Sequence, residues 1–69
     1  MVRIYTKDGC PYCAAAMDDM DARGVGYDEI NLSAHPGRIP EIEKLTGRRL
    51  VPVIVRDDGA VTSGWQGGG

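Results

Sequence analysis

Val2, Ile4 and Thr6 alternate with Arg3, Tyr5 and Lys7 at the start of the chain, the two-residue period of a short strand. Asp8-Gly9 then turns the chain. Past residue 13 the period lengthens: Ala16, Met17 and Met20 recur at helical spacing, while Asp18, Asp19 and Asp21 lie mostly off that stripe. Gly24 stands where a helix of this length would end. Val25 to Leu32 is read as a second strand, with Tyr27, Ile30 and Leu32 the strongest candidates for burial. Strand, helix and strand within about thirty residues make a βαβ unit, whose two strands are parallel and joined by a right-handed crossover.

Ser33 to Gly37 forms a loop, with His35 a surface residue on it. A second helix is predicted from Arg38 to Thr46, its inner face made by Ile39, Ile42 and Leu45 and its end marked by Gly47. Pro40 is tolerated because it falls in the first turn, where an amide N–H has no partner to lose. Val51-Pro52-Val53-Ile54-Val55 is a buried-strand run with a proline near its start. Asp57-Asp58-Gly59 is a tight turn, and Ala60 to Ser63 the antiparallel return strand. The expectation is an α/β domain over residues 1–66, with a four-stranded mixed sheet between two helices. Residues 67–69 are expected to form a flexible glycine tail.

Composition narrows the function classes. Sixty-nine residues make one domain, and a chain of this size buries only about 60% of its unfolded surface. A net charge of -2 and a pI near 5.1 speak against a general nucleic-acid or membrane-surface binder. The opening residues enter a strand pattern directly, without the apolar core of a signal peptide, and no apolar run reaches membrane-spanning length. The expected place is a reducing cytoplasm, where a Cys-x-x-Cys pair is catalytic more often than structural.

That pair is Cys10-Pro11-Tyr12-Cys13, which holds both cysteines of the chain. With residue 11 opening a helix, positions three apart share a face, and the sulfurs come within reach of a disulfide. Pro11 suits a first helical position. Cys10 then lies just before the helix, where unpaired N–H groups and the positive end of the macrodipole favour a thiolate. Cys13 sits a turn deeper. One sulfur is placed to attack and the other to resolve. A structural disulfide would close too small a loop to stabilise much. A closed zinc site wants four ligands, and the chain offers one His and no third Cys. The acidic group at residues 18–21 reads as a solvated face rather than a metal site.

Taken together, Ile4-Tyr5-Thr6-Lys7, Cys10-Pro11-Tyr12-Cys13, Gly24-Val25, Thr46-Gly47-Arg48-Arg49 and Val51-Pro52 resemble the glutaredoxin family of the thioredoxin fold. The resemblance implies a thiol–disulfide oxidoreductase with Cys10 and Cys13 as the catalytic pair. It has no bound cofactor, and glutathione is its co-substrate. It also implies a cis Val51–Pro52 bond that presents the Val51 backbone to an extended thiol ligand. Lys7 and Arg49 (with Arg48 as the rival arginine) would meet carboxylates, Tyr12 would flank the groove, and Gly64 would complete the binding set. The implied partners are glutathione and disulfide-bearing proteins, with neither nucleic acid nor membrane.

The resemblance departs at the end of the chain. The family's last strand is typically followed by Gly-Gly and one or two Asp, whereas this chain has Ser63-Gly64-Trp65-Gln66-Gly67 and no acid. That run is similar to the glutaredoxin-like redoxins that are reduced by thioredoxin reductase and feed ribonucleotide reductase. An iron–sulfur carrier, with Cys10 thiolates and glutathione from two chains around one cluster, is the third possibility that cysteine chemistry permits. The pattern contains no counterpart of the family's final helix. The expectation is a bare apolar strip around Val53 or Val55, covered either by Trp65 folding back or by a second copy.

Overall fold

Strand β1, Val2–Thr6, lies between two neighbours in a four-stranded sheet. It pairs in parallel with β2, Tyr27–Asn31, and antiparallel with β3, Val53–Val55, which pairs antiparallel with β4, Val61–Ser63. Helix α1, Pro11–Ala22, makes the crossover between the parallel pair, and α2, Ile39–Thr46, links β2 to β3. This computed structural model describes residues 1–65, so Gln66 and the expected glycine tail at 67–69 lie outside the described residues. The four-stranded mixed sheet with two helices is the expected α/β architecture.

Register divides the core in two. Ile4 faces Glu29 on one side and Ile54 on the other, while Tyr5 faces Ile30 and Val53. Side chains alternate along a strand, so these two rows lie on opposite faces of the sheet. Ile4 and Ile54 pack with Ala16 and Met20 of α1. Tyr5, Ile30 and Val53 pack with Ile42 of α2, and with Leu32, Val51 and both cysteines. Complete burial of a side chain such as Ile42 contributes about 1.5–3 kcal/mol.

Several expectations are corrected by this arrangement. Tyr5, on the row opposite Ile4, is only 1% exposed, because a strand at the centre of a sheet has two covered faces. Its hydroxyl donates to Glu41 Oε1 at 2.8 Å. Arg38 closes on the same carboxylate, Nε to Oε2 at 2.7 Å and Nη2 to Oε1 at 3.0 Å. The Arg38 hydrogen bonds first, and the Tyr5 hydroxyl second, hold the Glu41 carboxyl down at about 2. Burial, then the bond to Glu41, pushes the Tyr5 phenol up. Residues Pro36–Arg38 form a short 3-10 turn ahead of α2, so the second helix begins at Ile39. Leu45, expected on its inner face, is 40% exposed. The second strand is shorter than residues 25–32. The strip on the α1 face belongs to Ile54, not to Val53 or Val55, and Trp65 packs against the Ile4–Ala16–Met20–Ile54 cluster.

Candidate active site

Gly9 turns the chain out of β1 with φ of +71°, a conformation that costs glycine nothing. Cys10 follows in an extended conformation as the residue capping α1, and Pro11 takes the first helical position. The first intrahelical bond runs from Ala14 N–H to Cys10 O at 3.2 Å. The Cys10 sulfur accepts the N–H of Cys13 at 3.1 Å, one of the amides that a helix start leaves without a partner. The two cysteines are joined as a disulfide, with Cα atoms 5.3 Å apart. Cys10 is 9% exposed and Cys13 only 1%, so the first is the more accessible of the two.

Two hollows lie in this region, and the pair itself borders the first. One, of about 480 Å³, is bordered by Cys10, Cys13, Thr6, Lys7, Glu29 and Asn31. Within it the buried Thr6 hydroxyl donates to Glu29 Oε2 at 2.7 Å. The other, of about 390 Å³, brings together Lys7, Arg49 and Val51 with an apolar lining of Leu32, Ile39 and Ile42. Lys7 borders both. Of the two adjacent arginines, Arg49 reaches the second hollow and also pairs with Glu43 at 2.9 Å. Arg48 is instead tied through its backbone to the Thr46 hydroxyl.

The Val51–Pro52 bond is cis, and Val51 packs in the same cluster as Cys10 and Cys13. Gly64 is buried, and its N–H donates to the Pro52 carbonyl at 2.7 Å, so that donor is already engaged. Tyr12 stands 43% exposed on the first turn of α1 and borders neither hollow. Thr6, Asp8, Glu29, Asn31 and Ser33 were not foreseen around the site. The Asn-Leu-Ser order at the end of β2 was the available signal, since Asn and Ser favour turns that bond their own backbone. No group of three or more His, Cys, Asp or Glu able to hold a metal occurs among the described residues.

The sequence profile described as Glutaredoxin matches residues 2–61. This chain belongs to the glutaredoxin family. Among relatives, a glutaredoxin of Neisseria meningitidis serogroup B is 46% identical over 54 residues, covering 77% of this chain and 64% of the relative. Glutaredoxin 3 of Escherichia coli K12 is 38% identical over 56 residues, covering 81% of this chain and 68% of the relative. The chain thus spans about two thirds of the length of these glutaredoxins. Among solved structures, NrdH-redoxin of Escherichia coli, a glutaredoxin-like protein described as having a thioredoxin-like activity profile, superposes with a TM-score of 0.78. It is 31% identical, and the match covers 94% of this chain and 83% of that one. No helix among the described residues is long and apolar enough to cross a membrane.

Proposed function

We propose that this glutaredoxin-family chain is a glutathione-dependent thiol–disulfide oxidoreductase that reduces protein disulfides or glutathione mixed disulfides. The observation that carries this reading is the meeting of Lys7, Arg49 and Val51 at one apolar hollow, with Val51 in the same packed cluster as Cys10 and Cys13. Glutathione is a short thiol peptide with two carboxylates, and two cations beside Val51 suit it. The Cys10 thiolate attacks one sulfur of the substrate disulfide and expels the other as a thiolate. Cys13, deprotonated, then attacks Cys10 of the mixed disulfide and expels the second thiol. The protein dithiol is oxidised by two electrons, and the substrate disulfide takes them up as two thiols. Two molecules of glutathione restore the dithiol and leave as glutathione disulfide. A reducing cytoplasm is the compartment that sustains this cycle.

A second reading has a thioredoxin reductase as the reductant and ribonucleotide reductase as the acceptor. It is favoured by Ser63-Gly64-Trp65, by the absence of an acid after β4, and by the likeness to NrdH-redoxin. A coupled assay offering each reductant in turn to the disulfide form separates the two. Turnover with glutathione and glutathione reductase, and none with NADPH and thioredoxin reductase, is expected; the reverse pattern overturns the first reading.

A further inference from the structure

Lys7 is held by its neighbours rather than by its own side chain. On one flank, Leu32 N–H donates to Thr6 O at 2.8 Å. On the other, Asp8 N–H donates to the Ser33 hydroxyl oxygen at 3.0 Å. The segment just after β2 therefore clamps the backbone on both sides of Lys7. Asn31 sets that segment's shape, its Oδ1 accepting the N–H of Ser33 at 2.8 Å and of Ala34 at 3.2 Å. Its Nδ2 meanwhile donates to Asp8 Oδ1 at 3.0 Å. Asp8 is the carboxylate next to Lys7 in the chain, yet Lys7 has no ion-pair partner among the described residues.

We propose that Asn31 is a positioning residue that keeps Lys7 available to a substrate carboxylate, by fixing its loop and by occupying the Asp8 carboxylate that would otherwise neutralise it. The proposal rests on the assignment of Lys7 as a carboxylate site and adds the group that protects it. An exposed ion pair between Lys7 and Asp8 would be weak, but a flexible ammonium has nothing else to hold it open. Charge selection by Lys7 then depends on a neutral amide that borders the same hollow. A substrate disulfide bearing carboxylates gains from Lys7 only while Asn31 holds Asp8, whereas an uncharged disulfide is indifferent to that contact.

The test follows oxidation of the reduced protein by two small disulfides, the dicarboxylate dithiodipropionate and the uncharged hydroxyethyl disulfide. Each oxidation forms the Cys10–Cys13 bond and releases two small thiols. Rates are measured by stopped flow at low salt, where charge effects are least screened. Wild type is expected to favour the dicarboxylate. Asn31→Asp retains the oxygen that accepts the Ser33 and Ala34 amides but gives up the donor to Asp8. It is expected to lower the ratio of the dicarboxylate rate to the uncharged-disulfide rate by about threefold to fivefold. Adding Asp8→Asn to Asn31→Asp or to Asn31→Ala is expected to restore the preference, a rescue that a merely structural role would not give. If Lys7→Met abolishes the preference but Asn31→Asp keeps it, or if Asp8→Asn fails to rescue, the Asn31 proposal is overturned alone. If wild type shows no preference, or Lys7→Met retains it, the assignment of Lys7 fails and takes the proposal with it.

Discussion

Cys10 and Cys13 differ by one turn of helix, and that turn decides what each substitution should do. Cys10→Ser should abolish turnover with every disulfide. Cys13→Ser should still reduce glutathione mixed disulfides, which need one thiol, and should lose reduction of protein disulfides; assays with the two substrate types check this. If Cys13→Ser reduces protein disulfides at the wild-type rate, the division of roles is wrong. A second expectation follows from the place of Cys10 at the start of α1, where its sulfur accepts the Cys13 N–H. In Cys13→Ser the alkylation rate of Cys10 should rise with a midpoint below the value of about 8.5 for a free thiol. A midpoint above that would remove the helix start as an activating device. The cysteine pair was legible because the motif is local, its spacing and its proline speaking for themselves. Asn31 and Ser33 were not, because a polar loop residue has no recognisable partner until another loop arrives beside it.

Among the elements, α2 is fastened to the sheet by the Tyr5–Glu41–Arg38 group, and its pH response can be worked out. The folded Glu41 carboxyl titrates at about 2 against an ordinary 4.5. The unfolded chain therefore takes up its proton first as pH falls. The stabilisation is fully present above about 4.5 and is lost on the way down to about 2. Glu41→Gln should flatten the dependence of unfolding free energy on pH across that window, as denaturant titrations would show; an unchanged slope would mean the contact contributes nothing. The existence and order of the strands and helices could be read from periodicity, and so could the glycine that ends α2. The 3-10 turn could not, since three residues hold too little period to register. The burial of Tyr5 could not be read either: alternation marks a strand with one wet face, and β1 has none.

Across the whole molecule, the α1 face of the sheet is closed at one end by Trp65, which packs beside Ile54 and Met20. Trp65→Ala should lower stability by about 2 kcal/mol, less than for a core aromatic because the ring is only half-buried. That corresponds to a fall in melting temperature of about 8–16 °C for a domain of this size. An unchanged melting temperature would show that the indole lies on the sheet without holding it. The sequence placed an aromatic near this strip but put the strip on the wrong residues, because register, which a one-residue slip reverses, is set by pairing rather than by the strand's own pattern.

The sheet is also a partition. Met20 belongs to one cluster and Ile42 to the other, with the backbone of the strands between them. Disturbances on opposite sides of such a wall should be independent, whereas those within one compartment should interact. In thermodynamic cycles, Met20→Ala combined with Ile42→Val should cost the sum of the separate losses to within about 0.5 kcal/mol. Met20→Ala combined with Ile54→Val should depart from its sum, because the two side chains share the same vacated space. The protein would then carry two small stability accounts rather than one, and a chemist altering the half that holds the thiols could repair the loss from the half that does not.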